Sequence, residues 1–309
     1  MLILSLNMKL MKTKTIVSIL TFLLAISFVN GQELLDILDK EHKDTLRFTE
    51  ATFKYSRITY GQSVQTRKSG TLDVSANIRF WNTPEERSQS FFVDRLNTRF
   101  ALEYGISDRL LLGVGGSTFD ERFDGFIKYK LIRQGVSSGS PVTVSLFQNA
   151  SYFSDALPYS SPGRMSSNRL SFTSQILIAK KITSDFSLQI APTFVHRGLV
   201  FNDNDPQNHF AIGFGGRYKL GGHVSLVSEY YYVANPIKSF DTYGPFSLGI
   251  NWELSDVMLQ FMLTNAVSMV EDAFITQTRN NFNFKNPNLN FGFNFTYTIH
   301  FKNKLKGKR

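Results

Sequence analysis

Charged side chains recur at every second position of otherwise apolar segments in this 309-residue chain. In the segment FDGFIKYKLIRQ, Lys128 and Lys130 alternate with apolar residues on both sides. A period of two places such charges on one face of a β-strand and the apolar residues on the other. Charges along a polar face can select ions, and an excess of one sign decides which ions are preferred.

The polar face predicted for the strands contains eight candidate functional residues. They are Arg79, Arg95, Arg99, Glu103, Lys128, Lys130, Arg217 and Glu229. Bases also outnumber acids when the other charges of this face are included, which favours anions if the face lines an open pore. The alternative is that the charges pair with one another, as Glu229 could with Arg217, and simply fill a narrow interior.

Histidine and serine positions do not indicate a metal site or a catalytic centre. No histidine is spaced i, i+2 or i, i+4 from another histidine, and the chain has no cysteine, so we expect no metal and no cofactor. A Ser–His pair on a membrane barrel would suggest a lipase-type hydrolase. Ser187 and His196 lie at an odd and an even position of one predicted strand, and therefore on opposite faces of it. An enzyme is accordingly the least favoured alternative.

Twelve segments of the chain carry the alternating pattern. In the last of them, Phe291, Phe293 and Phe295 alternate with polar residues and glycine. The predicted strands are 71–80, 95–106, 109–118, 123–133, 141–152, 168–181, 186–196, 208–220, 223–234, 244–254, 256–265 and 288–301.

The length of these segments indicates a membrane barrel. Most have 10–13 residues, whereas strands of globular proteins average about 5–6 and tilted membrane strands about 9–11. Short turns alternate with longer polar connections, as in outer-membrane barrels whose short turns face the periplasm. A soluble β-sandwich also has alternating strands, but strand length, loop alternation and 29 phenylalanines argue against it. We therefore predict an all-β fold, a transmembrane antiparallel β-barrel of twelve strands covering residues 67–301.

The N-terminal region directs the chain across the inner membrane. Three lysines precede an apolar stretch at residues 16–29, which is too short for a membrane-spanning helix and typical of a cleaved signal peptide. We assign residues 1–31 to this signal peptide. The predicted location is the bacterial outer membrane, with its lipid and the barrel assembly machinery as partners.

The formal net charge of +9 is concentrated at the two ends of the chain. Removing the three lysines of the signal peptide leaves +6, and setting aside the five basic residues of the tail at 302–309 leaves +1. Nucleic-acid binding requires a basic face rather than a basic tail. We therefore expect no nucleic acid as a partner.

Residues 32–66 do not belong to the twelve strands. The segment ATFKYSRITYG reads as a strand, but a thirteenth strand would place the N-terminus on the wrong side of the membrane. We expect residues 32–66 to lie inside the barrel or at its periplasmic mouth. Inward-facing glycines at 113, 115, 213 and 215 would let another backbone approach closely, or would relieve strain in a curved wall. A bulge is expected at Pro192, which removes a ladder hydrogen bond in the middle of a strand.

Several of these stretches resemble the DUF5777-type family of outer-membrane β-barrel proteins of Bacteroidota. The resemblance rests on ATFKYSRI, FDGFIKYKLIRQ, APTFVHR, FAIGFGGRYKL, EYYYVANP and TNAVSMVEDAFI. It implies an outer-membrane barrel and transfers neither an activity nor functional residues.

Two functional hypotheses follow from the predicted barrel. The first is a channel for small solutes, with anions preferred, which is either passive or gated by its own N-terminal segment. The second is a closed structural or adhesion barrel that presents the loops 153–167 and 266–287 outside the cell.

Overall fold

The computed structural model of the chain describes residues 47–81, 93–119, 121–136, 138–154, 169–202, 204–282 and 288–301. The predicted signal peptide, residues 32–46 and the basic tail lie outside the described residues. Within these ranges the strands are β1 (Thr71–Trp81), β2 (Arg95–Ser107), β3 (Leu110–Ser117), β4 (Arg122–Ile132), β5 (Thr143–Phe153), β6 (Leu170–Lys181), β7 (Phe186–Arg197), β8 (Asn208–Lys219), β9 (Val224–Val233), β10 (Phe246–Leu254), β11 (Val257–Thr264) and β12 (Asn290–His300). A helix, α1 (Glu271–Gln277), lies between β11 and β12.

The twelve strands form one closed barrel in which each strand pairs antiparallel with its neighbours in sequence. The first and last strands close the ring, with Thr71 opposite His300 and Phe80 opposite Phe291. Closure leaves no unpaired sheet edge, which is the condition for a sheet to cross a lipid bilayer. The predicted fold and strand number are confirmed.

Burial alternates along the strands as the period of two requires. In β4, Lys128 is fully buried, whereas the exposed fractions of Ile127, Tyr129 and Leu131 are 45%, 41% and 48%. The outer surface is therefore apolar and suited to hydrocarbon, while the inner surface carries the polar and charged residues.

The two ends of the barrel differ in the length of their connections. The turns after β2, β6, β8 and β10 are short, and β1 begins and β12 ends at this same end, which we call the short-turn rim. The opposite end, the long-loop rim, has the long connection that contains α1. In outer-membrane barrels, the short turns face the periplasm. Among the described residues, none of the helical structure has the length and hydropathy of a membrane-spanning helix.

The expected bulge at Pro192 is wrong. The register between β6 and β7 is the same at Gln175–Thr193 and at Ile178–Ile190, so no residue is inserted. The two intervening pairs are absent from the ladder, because proline has no N–H to donate. Thr193 Oγ1 donates to the backbone carbonyl of Ala191 at 2.8 Å, which satisfies an acceptor at this gap.

Replacing Ile250 by lysine tests the orientation of the wall. Ile250 lies at the middle of β10 and is 44% exposed on the outer surface, so a lysine there should cost about 2–4 kcal/mol in a bilayer. We expect the variant to unfold at a lower urea concentration in lipid vesicles, measured by gel migration with and without heating. Ile250→Leu is the matched control. Equal unfolding midpoints for the lysine variant and the native chain would contradict the orientation.

Candidate functional site

The barrel interior contains a hairpin formed by residues 52–64, which we call the plug hairpin. Its two legs are joined by backbone hydrogen bonds from Ile58 N to Gly61 O at 2.9 Å and from Ser63 N to Ser56 O at 2.8 Å. Phe53 and Val64, one on each leg, are at most 2% exposed. The hairpin makes only these two cross-leg backbone bonds, so most of its polar groups find partners on the barrel wall.

The plug hairpin enters and leaves the barrel at the short-turn rim. Thr49 N donates to Gln134 O at 2.8 Å in the turn between β4 and β5. On the returning side, the Thr66 hydroxyl donates to Asp108 O at 2.7 Å in the turn between β2 and β3. Both anchors lie on the rim, whereas the tip at residues 58–61 lies deep in the lumen.

Small residues in the wall make room for side chains in the lumen. A Cβ added at Gly215 would overlap Ile58 Cδ1 of the plug hairpin, and one at Gly213 would lie 2.5 Å from the Tyr231 ring. The glycines at 113 and 115 are covered by Phe126 and Arg99. The predicted close approach therefore involves side chains rather than a second backbone.

Lys128 binds the legs of the plug hairpin. Its ammonium group donates to the backbone carbonyls of Ser56 at 2.8 Å, Ser63 at 3.1 Å and Gln65 at 3.1 Å. An ammonium group has three donors, so these three carbonyls satisfy it fully. Lys128 therefore bridges both legs and is not available to a solute while the hairpin is in place.

Glu229 binds the tip of the plug hairpin. Its carboxylate accepts hydrogen bonds from the backbone N–H groups of Thr59 at 3.0 Å, Tyr60 at 2.7 Å and Gly61 at 3.1 Å, and also from the Thr59 hydroxyl. The possible pair with Arg217 is not formed. Arg217 instead donates to Ser225 Oγ at 3.0 Å and to the Ala51 carbonyl at 3.3 Å.

The long-loop rim contributes a second insertion, the segment 265–278 that contains α1. Glu271 and Asp272 of α1 are fully buried. Asp272 accepts hydrogen bonds from Arg122 Nη1 and from Ser151 Oγ, each at 2.7 Å. These two partners lie on β4 and β5, so α1 is bound to the inner wall and the segment 265–278 is not displayed outside.

The two insertions meet in the lumen. Arg57 of the plug hairpin donates to Glu271 of α1 at 2.9 Å, and Gln62 Nε2 donates to the same carboxylate oxygen at 2.8 Å. Arg57 Nε also lies 3.6 Å from Glu103 Oε1 on the wall. Beside this contact the ring centroids of Tyr60 and Phe274 are 4.7 Å apart. The lumen is thus occupied by segments entering from both rims.

Three of the other predicted residues lie on the wall in different environments. Arg99 forms a bidentate pair with Asp124, at 2.9 and 2.6 Å. Arg79 is buried and donates to Asn294 Oδ1 at 2.8 Å. Lys130 donates to Gln65 Oε1 at 3.0 Å.

Arg95 does not share the buried environment of the other predicted residues. It is exposed at the long-loop end of β2, although it occupies an inward position in the alternation of the strand. The alternation of positions in the strand therefore predicted the correct face for Arg95. It did not show how far the filled part of the lumen extends along the strand.

The charged residues of the two insertions, Arg57, Glu271 and Asp272, were not predicted. Glu271 and Asp272 lie in a segment without a strand period, and Arg57 lies in a segment that reads as a strand but was not counted among the twelve. Their one sequence signal is charge within otherwise apolar or small-residue stretches, as in the run from Val270 to Ile275.

The described residues show no arrangement typical of metal binding or Ser–His chemistry. They contain no group of three or more His, Cys, Asp or Glu side chains that could hold a metal. His196 contacts Asn208 Oδ1 at 2.8 Å, and His300 contacts Asp256 at 3.2 Å. His209 Nδ1 donates to the backbone carbonyl of Asn235 at 2.8 Å.

Comparison with protein families gives a match over most of the chain. The family described as "Membrane bound beta barrel domain (DUF5777)" matches residues 53–299. The matched range begins within the plug hairpin and includes α1. No curated protein matches the chain.

Solved structures with a similar arrangement are membrane channels of low sequence identity. KdgM porin is 8% identical, with a TM-score of 0.46, covering 74% of this chain and 99% of that one. An outer membrane channel from Pseudomonas putida F1 is 14% identical, with a TM-score of 0.43, covering 76% and 98%. CymD, a monoaromatic hydrocarbon channel, is 11% identical, with a TM-score of 0.37, covering 77% and 90%. TM-scores below 0.5 carry no functional information for this chain.

Replacing Lys128 by methionine tests whether this residue holds the plug hairpin. The substitution leaves the carbonyls of Ser56 and Ser63 in the hairpin, and of Gln65 directly after it, without their charged donor. Each bond to a charged group contributes about 1.5–3 kcal/mol. We expect amide hydrogen exchange in residues 52–64 to accelerate about tenfold or more, measured by mass spectrometry in detergent micelles.

Lys130→Met is the matched control, since Lys130 makes a single side-chain contact with the returning leg. It should change exchange in the hairpin far less. If Lys128→Met leaves exchange at the native rate, Lys128 does not fix the hairpin.

Proposed function

The chain belongs to the family of membrane-bound β-barrel domains, and we propose that it is a gated outer-membrane conduit for small anionic solutes. The observation that carries this proposal is the occupied lumen. The plug hairpin is anchored covalently at the short-turn rim and is otherwise held by hydrogen bonds, ion pairs and side-chain packing. Its displacement requires no break in the closed wall.

The contacts of the hairpin favour a gate over a permanent filling. Lys128 and Glu229 bind backbone carbonyl and N–H groups that water can also satisfy, so the displaced state leaves no polar group without a partner. A permanent core of a barrel is more stable when it is apolar, because buried charges cost desolvation energy. The described lumen instead has a lysine, a glutamate and several arginines at its centre.

The charges exposed by opening support an anionic solute. Once the plug hairpin leaves, Lys128 loses its three carbonyl partners and faces the lumen together with Arg79. Glu103 and Glu229 face it as well, so the preference for anions should be moderate. The filled lumen does not support a channel that is open at all times, and the inward position of residues 265–278 does not favour an adhesion surface built from that part of the loop.

A reversible tether of the plug hairpin tests the gate. The chain has no cysteine, so the double variant Ile58→Cys, Gly215→Cys can form only one disulfide. A Cβ at position 215 would contact the side chain at position 58. In planar bilayers we expect the oxidised variant to stay closed and the reduced variant to open. Gly215→Cys alone, treated with the same oxidant, is the control.

Loosening the hairpin should have the opposite effect. The double variant Lys128→Met, Glu229→Gln removes the charge at both binding points, and we expect its open probability to rise about tenfold or more. Absence of current from the native, tethered, reduced and double variants in a bilayer would exclude the conduit and favour a closed structural barrel.

A further inference from the structure

Arg197 differs from the other buried arginines of the lumen. It ends β7 at the long-loop rim and is 2% exposed. Arg57, Arg99 and Arg122 each pair with a carboxylate, and Arg79 donates to Asn294. In the part of the chain that the structure describes, the Arg197 guanidinium has no carboxylate within 4.0 Å, and its buried Nη1 atom has no hydrogen-bond partner.

Phe201 provides the contact that the Arg197 guanidinium does make. The guanidinium carbon lies 4.8 Å from the centroid of the Phe201 ring. A cation over an aromatic face contributes about 0.5–2 kcal/mol, which is less than the cost of burying a charge without a hydrogen bond. The stacking therefore fixes the side chain without satisfying its donors.

The nearest acidic residues are already engaged. Asp205 accepts hydrogen bonds from the backbone N–H groups of Asn202, Lys238 and Ser239 and from the Ser239 hydroxyl. Burial alone would raise the pKa of the Asp205 carboxyl, but these hydrogen bonds outweigh it and lower the pKa. Asp272 is bound by Arg122 and Ser151. Neither carboxylate needs Arg197 to compensate its charge.

Two further buried polar atoms without a hydrogen-bond partner lie on the strands either side of β7, level with Val195. They are Thr173 Oγ1 on β6 and His209 Nε2 on β8, and both residues are fully buried. Thr173 and His209 are both paired with Val195, from the two sides of β7. Since inward positions alternate, Arg197 is the next inward residue after Val195. The three groups therefore occupy neighbouring inward positions on three consecutive strands.

We propose that Arg197, His209 and Thr173 form a binding site for an oxyanion, a carboxylate or phosphate group, at the long-loop end of the lumen. A guanidinium presents two parallel N–H groups that match the two oxygens of such a group. The Thr173 hydroxyl supplies an additional donor. His209 Nδ1 already donates to the Asn235 carbonyl, so Nε2 donates to the anion only in the imidazolium form, which the negative charge of the anion favours. Val195, which lies between Thr173 and His209, packs with Phe274 and Ile275 in an apolar cluster. The anion would therefore bind on the rim side of this cluster and would not pass further while α1 is in place.

This inference deepens the proposed function, because it names the solute's charged group and the place where it first binds. Binding itself requires no conduction and can be measured on the closed barrel. An anion that binds only the folded state raises its melting temperature in proportion to the logarithm of its concentration above Kd. A buried arginine without a partner lowers the stability of the folded state. An apolar residue in its place removes the cost of desolvating the charge, so the substitution should not lower the melting temperature.

The test uses the full folded chain in detergent micelles, with thermal unfolding followed by gel migration. The probes are inorganic phosphate and acetate in separate titrations, with chloride at matched ionic strength as the reference. We expect at least one probe to raise the melting temperature beyond chloride, with a rise that follows the logarithm of its concentration above Kd. Arg197→Met should weaken this response at least tenfold in apparent Kd and should melt, without probe, no lower than the native chain.

Arg217→Met is the matched control, since Arg217 is an inward arginine at the other end of the lumen with two protein partners. It should melt lower than the native chain and keep the full response to the probe. A rise in melting temperature with phosphate alone indicates a phosphate site, and a rise with acetate alone indicates a carboxylate site.

Three results would each overturn the oxyanion site. They are no response of the native chain beyond chloride, an unchanged response in Arg197→Met, and a lower melting temperature or failed folding of Arg197→Met without probe. The last result would show that the charge of Arg197 is compensated within the protein. If one of these results is obtained and the barrel still conducts in a bilayer, the proposed function stands and only the oxyanion site is rejected.

Discussion

A closed ring of twelve antiparallel strands encloses a wider space than an eight-stranded barrel, whose inward side chains are enough to fill it. Closure is required because a sheet edge cannot be left unpaired in hydrocarbon. The remaining interior must then contain water, a ligand or other parts of the same chain. Here it contains the plug hairpin from one rim and α1 from the other, and the buried charges of Lys128, Glu229 and Arg122 bind these two segments.

The inward charges act mainly on the polypeptide backbone. Lys128 binds carbonyl groups and Glu229 binds N–H groups of an irregular segment that forms few hydrogen bonds with itself. An extended hairpin placed in a narrow lumen would otherwise bury many unsatisfied backbone groups, each at a cost of about 1–3 kcal/mol. The charged wall therefore makes it possible for a non-helical segment to lie at membrane depth.

Contact between the two insertions joins the rims of the barrel. Glu271 accepts hydrogen bonds from both Arg57 and Gln62, which lie on opposite legs of the plug hairpin. Withdrawal of α1 toward the long-loop rim would leave Arg57 with Glu103 as its remaining acidic neighbour. Movement at one rim must therefore change the stability of the segment anchored at the other, which is the coupling a gate requires.

The sequence by itself determined the wall of the barrel. A side-chain period of two is local information, and hydrocarbon admits only one assignment of its two faces, so strand number and orientation could be predicted from residues such as Lys128 and Ile127. The partners of Lys128 and Glu229 could not, because they lie between 63 and 170 positions away in the sequence and are brought close only when the ring closes. Tertiary structure decided that Lys128 and Glu229 bind a hairpin, that Glu229 does not pair with Arg217, and that Arg197 is left without a carboxylate. In each case the reason is the same: the period of a strand states which way a side chain points, whereas the contents of the lumen depend on how much space the closed ring leaves.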